Sequence, residues 1–205
     1  MKIKRIPSGP LMVNTYLTWD EKNNKGFIVD PGGFNDNIAK AIEEENIELE
    51  YIILTHGHCD HIGGVEEIRE KYGSKIVAAK AELPMLENSR LNMSVDFGVP
   101  VEFTPEILVE DGDTLEIGNM LLHFIMTPGH SEGGMCIRIG KILFSGDTLF
   151  CASVGRTDFV GGSMDTLIKS IKEKLFVLDE DTQVFPGHMG STTIGYEKEH
   201  NPFVL

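Results

Sequence analysis

Cysteine is scarce in this chain. Only Cys59, Cys136 and Cys151 occur among 205 residues. Their odd number and wide spacing argue against a disulfide framework and fit a reducing, cytoplasmic compartment. Long apolar runs are lacking too: none approaches the roughly 18 residues that a membrane helix needs, so no membrane partner is expected. The opening residues, MKIKRIPSGP, carry charge but no apolar stretch and do not read as an export signal. Basic residues are in short supply, 18 against 32 acidic ones, for a formal net charge of −14. Nucleic-acid surfaces are normally basic, so no nucleic-acid partner is expected. These totals select no oligomeric state.

The chain does have core material, with 41% hydrophobic against 24% charged residues, an ordinary globular balance. Strand-like and helix-like stretches alternate without a linker or a short repeat. Leu11 to Trp19, Gly26 to Asp30, Tyr51 to Leu54 and Lys75 to Ala79 read as strands, as do Asn119 to Met126, Gly134 to Ile139, Lys141 to Phe144 and Thr182 to Phe185. Asn35 to Glu45, Gly63 to Tyr72, Met164 to Leu175 and Thr192 to His200 read as helices. The pattern predicts an α/β fold of two mixed sheets with helices outside.

The polar residues that carry chemistry cluster where apolar strands end. Ile52-Ile53-Leu54 runs into THGHCDH, Leu122 to Met126 into TPGH, Ile142-Leu143-Phe144 into SGD, and Val184-Phe185 into PGH. Such loops gather on one edge of an α/β sheet, where sites usually lie. They supply His56, His58, Asp60, His61, His130, Asp147 and His188, which include five of the seven histidines. His123 and His200 are left to structural or surface roles. Imidazole and carboxylate suit zinc first, with iron or manganese as alternatives. Seven ligands fill two divalent sites if one carboxylate is shared. His56 and His58, one residue apart, form a three-histidine face with His130. Asp60 and His61 meet His188, and Asp147 is the natural bridge.

These motifs, with Asp30 in IVDPGG, resemble the metallo-β-lactamase superfamily over nearly the full chain. The resemblance implies one domain over residues 1–205, an αββα sandwich with two metals at one edge and Asp30 orienting a ligand from behind. FSGDTLF, VGRTD and TTIGYEKEHNPF are similar to compact, bacterial-type glyoxalase II enzymes, the hydroxyacylglutathione hydrolases. The implied reaction is hydrolysis of a small-molecule thioester. The C-terminal helical domain with which longer relatives bind glutathione has no counterpart after His188. Met189 stands where many relatives have glycine.

Asp60 is further assigned a catalytic role in orienting the attacking water, and Arg156 a grip on a substrate carboxylate. Asn14 and Tyr16 are candidates to line the site. Residues 79–101, with Met85, Met93 and Phe97, are a candidate cover for its mouth. Cys59, between two ligands, points away from both. Three alternatives stand beside the thioesterase. Gly155 to Phe159, GRTDF, also occurs in iron persulfide dioxygenases, which use one metal only. A lactonase of the same superfamily would share the ligand set. A non-catalytic structural zinc protein would need only four closed ligands.

Overall fold

Ile52, Ile53 and Leu54 are all buried, although their side chains turn to opposite sides of the strand. A strand whose both faces are covered reads as an unbroken apolar run, and it must lie in the middle of a layered structure. The computed structural model, which describes residues 1–205, shows those layers. The first sheet contains β1 (Lys2–Ser8), β2 (Val13–Trp19), β3 (Lys25–Val29), β4 (Glu48–Ile53), β5 (Lys75–Ala79) and β6 (Ile107–Val109) in that order. Pairing is antiparallel from β1 to β3 and parallel from β3 to β6.

The second sheet contains β7 (Thr114–Ile117), β8 (Met120–Met126), β9 (Met135–Ile139), β10 (Ile142–Gly146), β13 (Gln183–Pro186) and β14 (Thr192–Thr193). A separate two-stranded ribbon, β11 (Leu149–Phe150) with β12 (Ser153–Val154), lies between β10 and β13 in the chain. The order across the sheet is β14-β13-β10-β9-β8-β7. Only β10 and β13 are parallel.

Three apolar layers hold this together. Phe27, Val29, Ile53 and Val77 of the first sheet meet Leu122, Phe124, Ile137 and Phe144 of the second. The opposite face of the first sheet, with Ile28, Ile52 and Ile76, is covered by Ile38 and Ile42 of α1 (Asp36–Glu44) and by helical residues Ile62, Val65 and Ile68. The opposite face of the second, with Leu143 and Val184, packs on Leu167, Ile171 and Ile194. The result is the expected αββα sandwich of two mixed sheets. No helix is long and apolar enough to cross a membrane.

The helices begin where capping side chains allow. Asn35 Oδ1 accepts from the amides of Asn37 and Ile38 at the start of α1. Two short helices follow β4: α2 (Cys59–Ile62) and α3 (Val65–Tyr72), the latter ended by Gly73 in the left-handed region. Then come α4 (Leu83–Leu86), α5 (Met164–Ser170) and α6 (Ile194–His200).

The structure departs from the sequence reading at several points, among them the short strands β6, β7, β11 and β12 and the start of the Thr192–His200 helix, where Thr192–Thr193 form β14 and α6 begins at Ile194. The Leu11–Trp19 strand begins only at Val13, because Met12 takes a positive φ of 55° that breaks extension. The Met164–Leu175 helix changes to π winding from Ile171 to Leu175. An edge strand, β1, pairs along its whole length with β2 and was not foreseen.

Candidate metal centre

Strand direction gathers the loops. The C-terminal ends of β3 and β4 lie on one edge of the first sheet, and those of β8, β10 and β13 on one edge of the second. A bond from the Met135 amide to the Thr55 carbonyl, 2.9 Å long, joins the two sheets at that edge. Asp30, His56, His130, Asp147 and His188 follow these strands, while α2 carries Asp60 and His61.

Two clusters result. His58 Nδ1 and His130 Nε2 are 2.9 Å apart, and His130 Nε2 and His56 Nε2 are 3.2 Å apart. Asp60, His61 and His188 form the second group, with His188 Nε2 3.2 Å from Asp60 Oδ2 and His61 Nε2 3.6 Å from it. Asp147 stands between them: Oδ1 is 3.4 Å from His61 Nε2, and Oδ2 is 3.7 Å from both His130 Nε2 and His188 Nε2. All seven predicted ligand candidates are thus brought together. His123 lies within β8, and exposed His200 stacks on Tyr196, both away from the cluster.

Hydrogen bonds from behind select the ring nitrogens that face inward. His130 Nδ1 donates to the Arg156 carbonyl at 2.7 Å, leaving Nε2 as the lone-pair nitrogen. His61 Nδ1 donates to Asp30 Oδ2 at 2.9 Å. Thr55 gives its hydroxyl proton to the same Oδ2 at 2.6 Å, so its oxygen is free to accept from His56 Nδ1 at 3.1 Å. Asp30 Oδ1 accepts from the Thr55 amide at 2.8 Å. One buried carboxylate therefore orients His61 directly and His56 through Thr55. Asp30 holds this position at a positive φ of 48°, a conformation that aspartate tolerates better than most residues.

Charge is distributed unevenly. Burial lowers His56 well below the usual histidine value, helped by the nearby His61. Burial, with His130 adjacent, takes His58 down to about 3, and burial also lowers His130. This face is neutral, as metal ligation requires. His61 behaves oppositely: burial would lower it, but Asp147, Asp30 and Asp60 raise it well above its usual value. His188 is raised chiefly by its bond to Asp60. Burial is the largest influence on Asp60 and Asp147 and pushes both up, but His61 and His188 together with hydrogen bonds, joined by His130 for Asp147, outweigh it, and both stay low. Buried His61 Nε2 and Asp147 Oδ1 face each other 3.4 Å apart, and neither has a hydrogen-bond partner. Orphaned atoms of this kind normally cost about 1–3 kcal/mol each. A cation between them removes that cost, so the donor set fits divalent ions.

Glycine in the loops serves close approach as well as turning. A Cβ on Gly187 would lie 2.4 Å from Asp147 Oδ1, and one on Gly146, at φ 48°, would lie 2.2 Å from Thr55 Oγ1. Any side chain there would displace a candidate ligand or its support.

Arg156 lies on the rim of the cavity above the cluster, but its guanidinium is committed to Asp158, with Nε 2.6 Å from Oδ1, and stacks 4.3 Å above Phe159. Met93 and Phe97 line this cavity, whereas Met85 belongs to the buried interior. Asn14 and Tyr16 do not line it. They hold the His188 loop: Asn14 Nδ2 donates to the carbonyls of Pro186 and Met189, and Tyr16 OH donates to Pro186 at 2.7 Å. The half-exposed Cys59 thiol is pushed up to about 11 by burial and by Asp60, which disfavours a thiolate ligand.

Two contributors escaped the sequence reading. Thr55 could have been found as the hydroxyl leading into the histidine block. Glu82 gave no signal, because a glutamate in a polar-to-apolar run reads as a surface residue. It is buried, and its carboxylate joins the two ligand loops: Oε1 accepts from the Gly57 amide at 2.9 Å, and Oε2 from Ser131 Oγ at 3.1 Å and the Gly133 amide at 2.7 Å.

Comparison with known proteins agrees with this geometry. The profile of the family described as "Metallo-beta-lactamase superfamily" matches residues 8–188. The chain is similar to "Probable metallo-hydrolase YqgX" of Bacillus subtilis, 38% identical over 100% of this chain and 98% of that one. It is similar to "Hydroxyacylglutathione hydrolase GloC" of Haemophilus influenzae at 35% identity over the same shares. Among solved structures it resembles the BLEG-1 B3 metallo-β-lactamase with a TM-score of 0.92 and 37% identity, covering 99% of both chains. It also resembles TTHA1623 in a di-iron-bound form, at 0.86 and 30%, covering 98% of this chain and 99% of that one. ETHE1 from Myxococcus xanthus follows at 0.80 and 26%, with 98% and 84% covered.

Proposed function

The chain belongs to the metallo-β-lactamase superfamily as a metallo-hydrolase, and from this premise we propose that it is a cytoplasmic, binuclear thioester hydrolase of glyoxalase II type. The observation that carries the reading is Asp147, a carboxylate shared between a neutral three-histidine face and an Asp60–His61–His188 face. Two ions held by these seven residues would supply an activated water at neutral pH and a Lewis acid for the thioester carbonyl. Zinc, iron and manganese all suit the donors.

The chain's own residues do the rest. Asp30 and the Arg156 carbonyl fix the tautomers, so the lone pairs face inward before substrate arrives. Asp60, at the cavity surface and bonded to His188, accepts a hydrogen bond from the attacking water and aims its lone pair at the carbonyl carbon. Leu11, Met93, Phe97 and Phe159 exclude bulk water around the reacting bond. The C–S bond breaks to a thiolate, a good leaving group, so no strong general acid is needed. Arg156 meets a substrate carboxylate only by sharing or leaving Asp158.

Kinship with GloC supports a glutathione thioester as the first substrate to try. The test is thiol release from S-D-lactoylglutathione by metal-loaded protein, with Asp147→Ala as control. Fast, Asp147-dependent release is expected. No release from protein carrying two ions would remove this substrate and send the search to lactones and other thioesters. The GRTDF stretch, Gly155 to Phe159, favours a second reading, a one-iron persulfide dioxygenase. Oxygen consumption with glutathione persulfide separates the two.

A further inference from the structure

Beside the metal-site cavity lies a second one of about 310 Å³, within the range of small-molecule sites, roughly 300–1,000 Å³. Cys59, Asp60 and Phe97 line both cavities, so the two adjoin at a residue of the candidate centre. The walls of the second are apolar: Pro10, Phe34, Phe97, Val99 and Val101. Val99 is 69% exposed and Phe97 47% exposed, although both are large apolar side chains. Its floor is bare backbone, because Gly9, Gly32 and Gly63 pack too closely for side chains; a Cβ on Gly32 would lie 2.0 Å from the Asp60 carbonyl. Its only charged side chains are Asp60 and Glu67, both acidic.

We propose that this cavity is a substrate subsite for an uncharged aliphatic chain, running from the reacting carbonyl past Phe97 toward Val99 and Val101. The inference rests on the hydrolase reading above and adds its substrate class. A tripeptide thiol with two carboxylates finds no cation among the lining residues, Lys71 being held outside them 5.2 Å over the Phe34 ring, and Glu67 and Asp60 repel it. An aliphatic chain buries its surface against the valines and phenylalanines at no electrostatic cost. The chain can belong to the acyl half or to the thiol half of the thioester, and the experiment distinguishes them.

Binding is measured first, independently of turnover. N-hexylacetamide, a neutral amide that stands in for the thioester, is titrated against the metal-loaded protein while the Val99 and Val101 methyl resonances are followed. Saturable shifts are expected, with 6-acetamidohexanoate, its carboxylate-ended counterpart, binding at least tenfold more weakly. Rates are then compared for acetyl and hexanoyl thioesters of N-acetylcysteamine, and for acetyl thioesters of short and long alkanethiols. One of the two series should gain roughly tenfold or more in kcat/KM from its shortest to its longest member, given about fourfold per fully buried methylene. Val99→Asp, at an exposed position that tolerates a polar side chain, should lower that long-to-short ratio several-fold. Shifts without hydrolysis of any thioester would keep the subsite and remove the thioesterase reading. Hydrolysis indifferent to chain length, with no methyl shifts, would overturn the subsite and leave the thioesterase.

Discussion

Replacing Glu82 tests whether the two ligand loops are held in register by one buried carboxylate. Glu82→Gln keeps the shape. Its amide oxygen can satisfy Ser131 and Gly133, but its NH2 group then faces the Gly57 amide, donor against donor. A buried donor left without an acceptor costs about 1–3 kcal/mol, so Glu82→Gln should lose about 2 kcal/mol. At roughly 2–4 °C per kcal/mol for a chain of this size, the melting temperature should fall by about 4–8 °C. Glu82→Ala strands three donors and should lose on the order of 4 kcal/mol. Because Gly57 lies between His56 and His58, and Ser131 follows His130, the three-histidine face should loosen as well. Support of this kind is worth roughly 10–100-fold in metal affinity. Thermal unfolding of the metal-free protein gives the first quantity, and competition with a chelator gives the second. A Gln variant as stable as the parent would refute the hydrogen-bond argument. A variant that melts lower but binds metal equally well would show that Glu82 only supports packing.

Four further outcomes are expected. Asp30→Asn should weaken metal binding roughly 10–100-fold in chelator competition, since it removes the charge that orients His61 and His56; unchanged affinity would make Asp30 a turn residue only. Met189→Gly should raise the melting temperature of the metal-free protein, because Met189 sits at φ 67°, where a side chain costs about 1–2 kcal/mol; a lower value would mean that its side chain packs favourably. Cys59, with its thiol at about 11, is protonated at pH 8, so iodoacetamide should label it in metal-free protein more slowly than a free cysteine of pKa about 8.5. Its labelling rate should climb as pH rises toward 11; a rate already level by pH 8 would contradict the shift. Asn14→Ala removes both side-chain bonds to the His188 loop and should weaken the ion at the Asp60–His61–His188 face while sparing the one at the three-histidine face, as read by the two steps of a metal titration.

The candidate ligand set could be read from sequence because its chemistry restricts residue choice. Few side chains other than His and Asp hold these ions, and they must follow strands to reach one edge. The long strands could be read for a similar reason, since burial of both faces forces runs such as Ile52-Ile53-Leu54. β1 escaped because it is an edge strand with Lys2, Arg5 and other exposed residues, and its pairing with β2 leaves only Ile6 and Ser8 buried. β6 and β7, of three and four residues, are too short to show a period. Glu82, Asn14 and Tyr16 act through contacts 25 to 175 residues away in sequence, which local pattern does not encode. At Gly187 the constraint is the 2.4 Å approach to Asp147, visible only once the strands are side by side.

In the function proposed above, one carboxylate, Asp147, joins two ion sites. Metal content per chain, measured by elemental analysis after loading and desalting, tests it most directly when the parent is compared with Asp147→Ala. Two ions in the parent, and at least one lost with Asp147, is the predicted result. A parent that saturates at one ion, or an Asp147→Ala variant that still holds two with undiminished affinity, would contradict it.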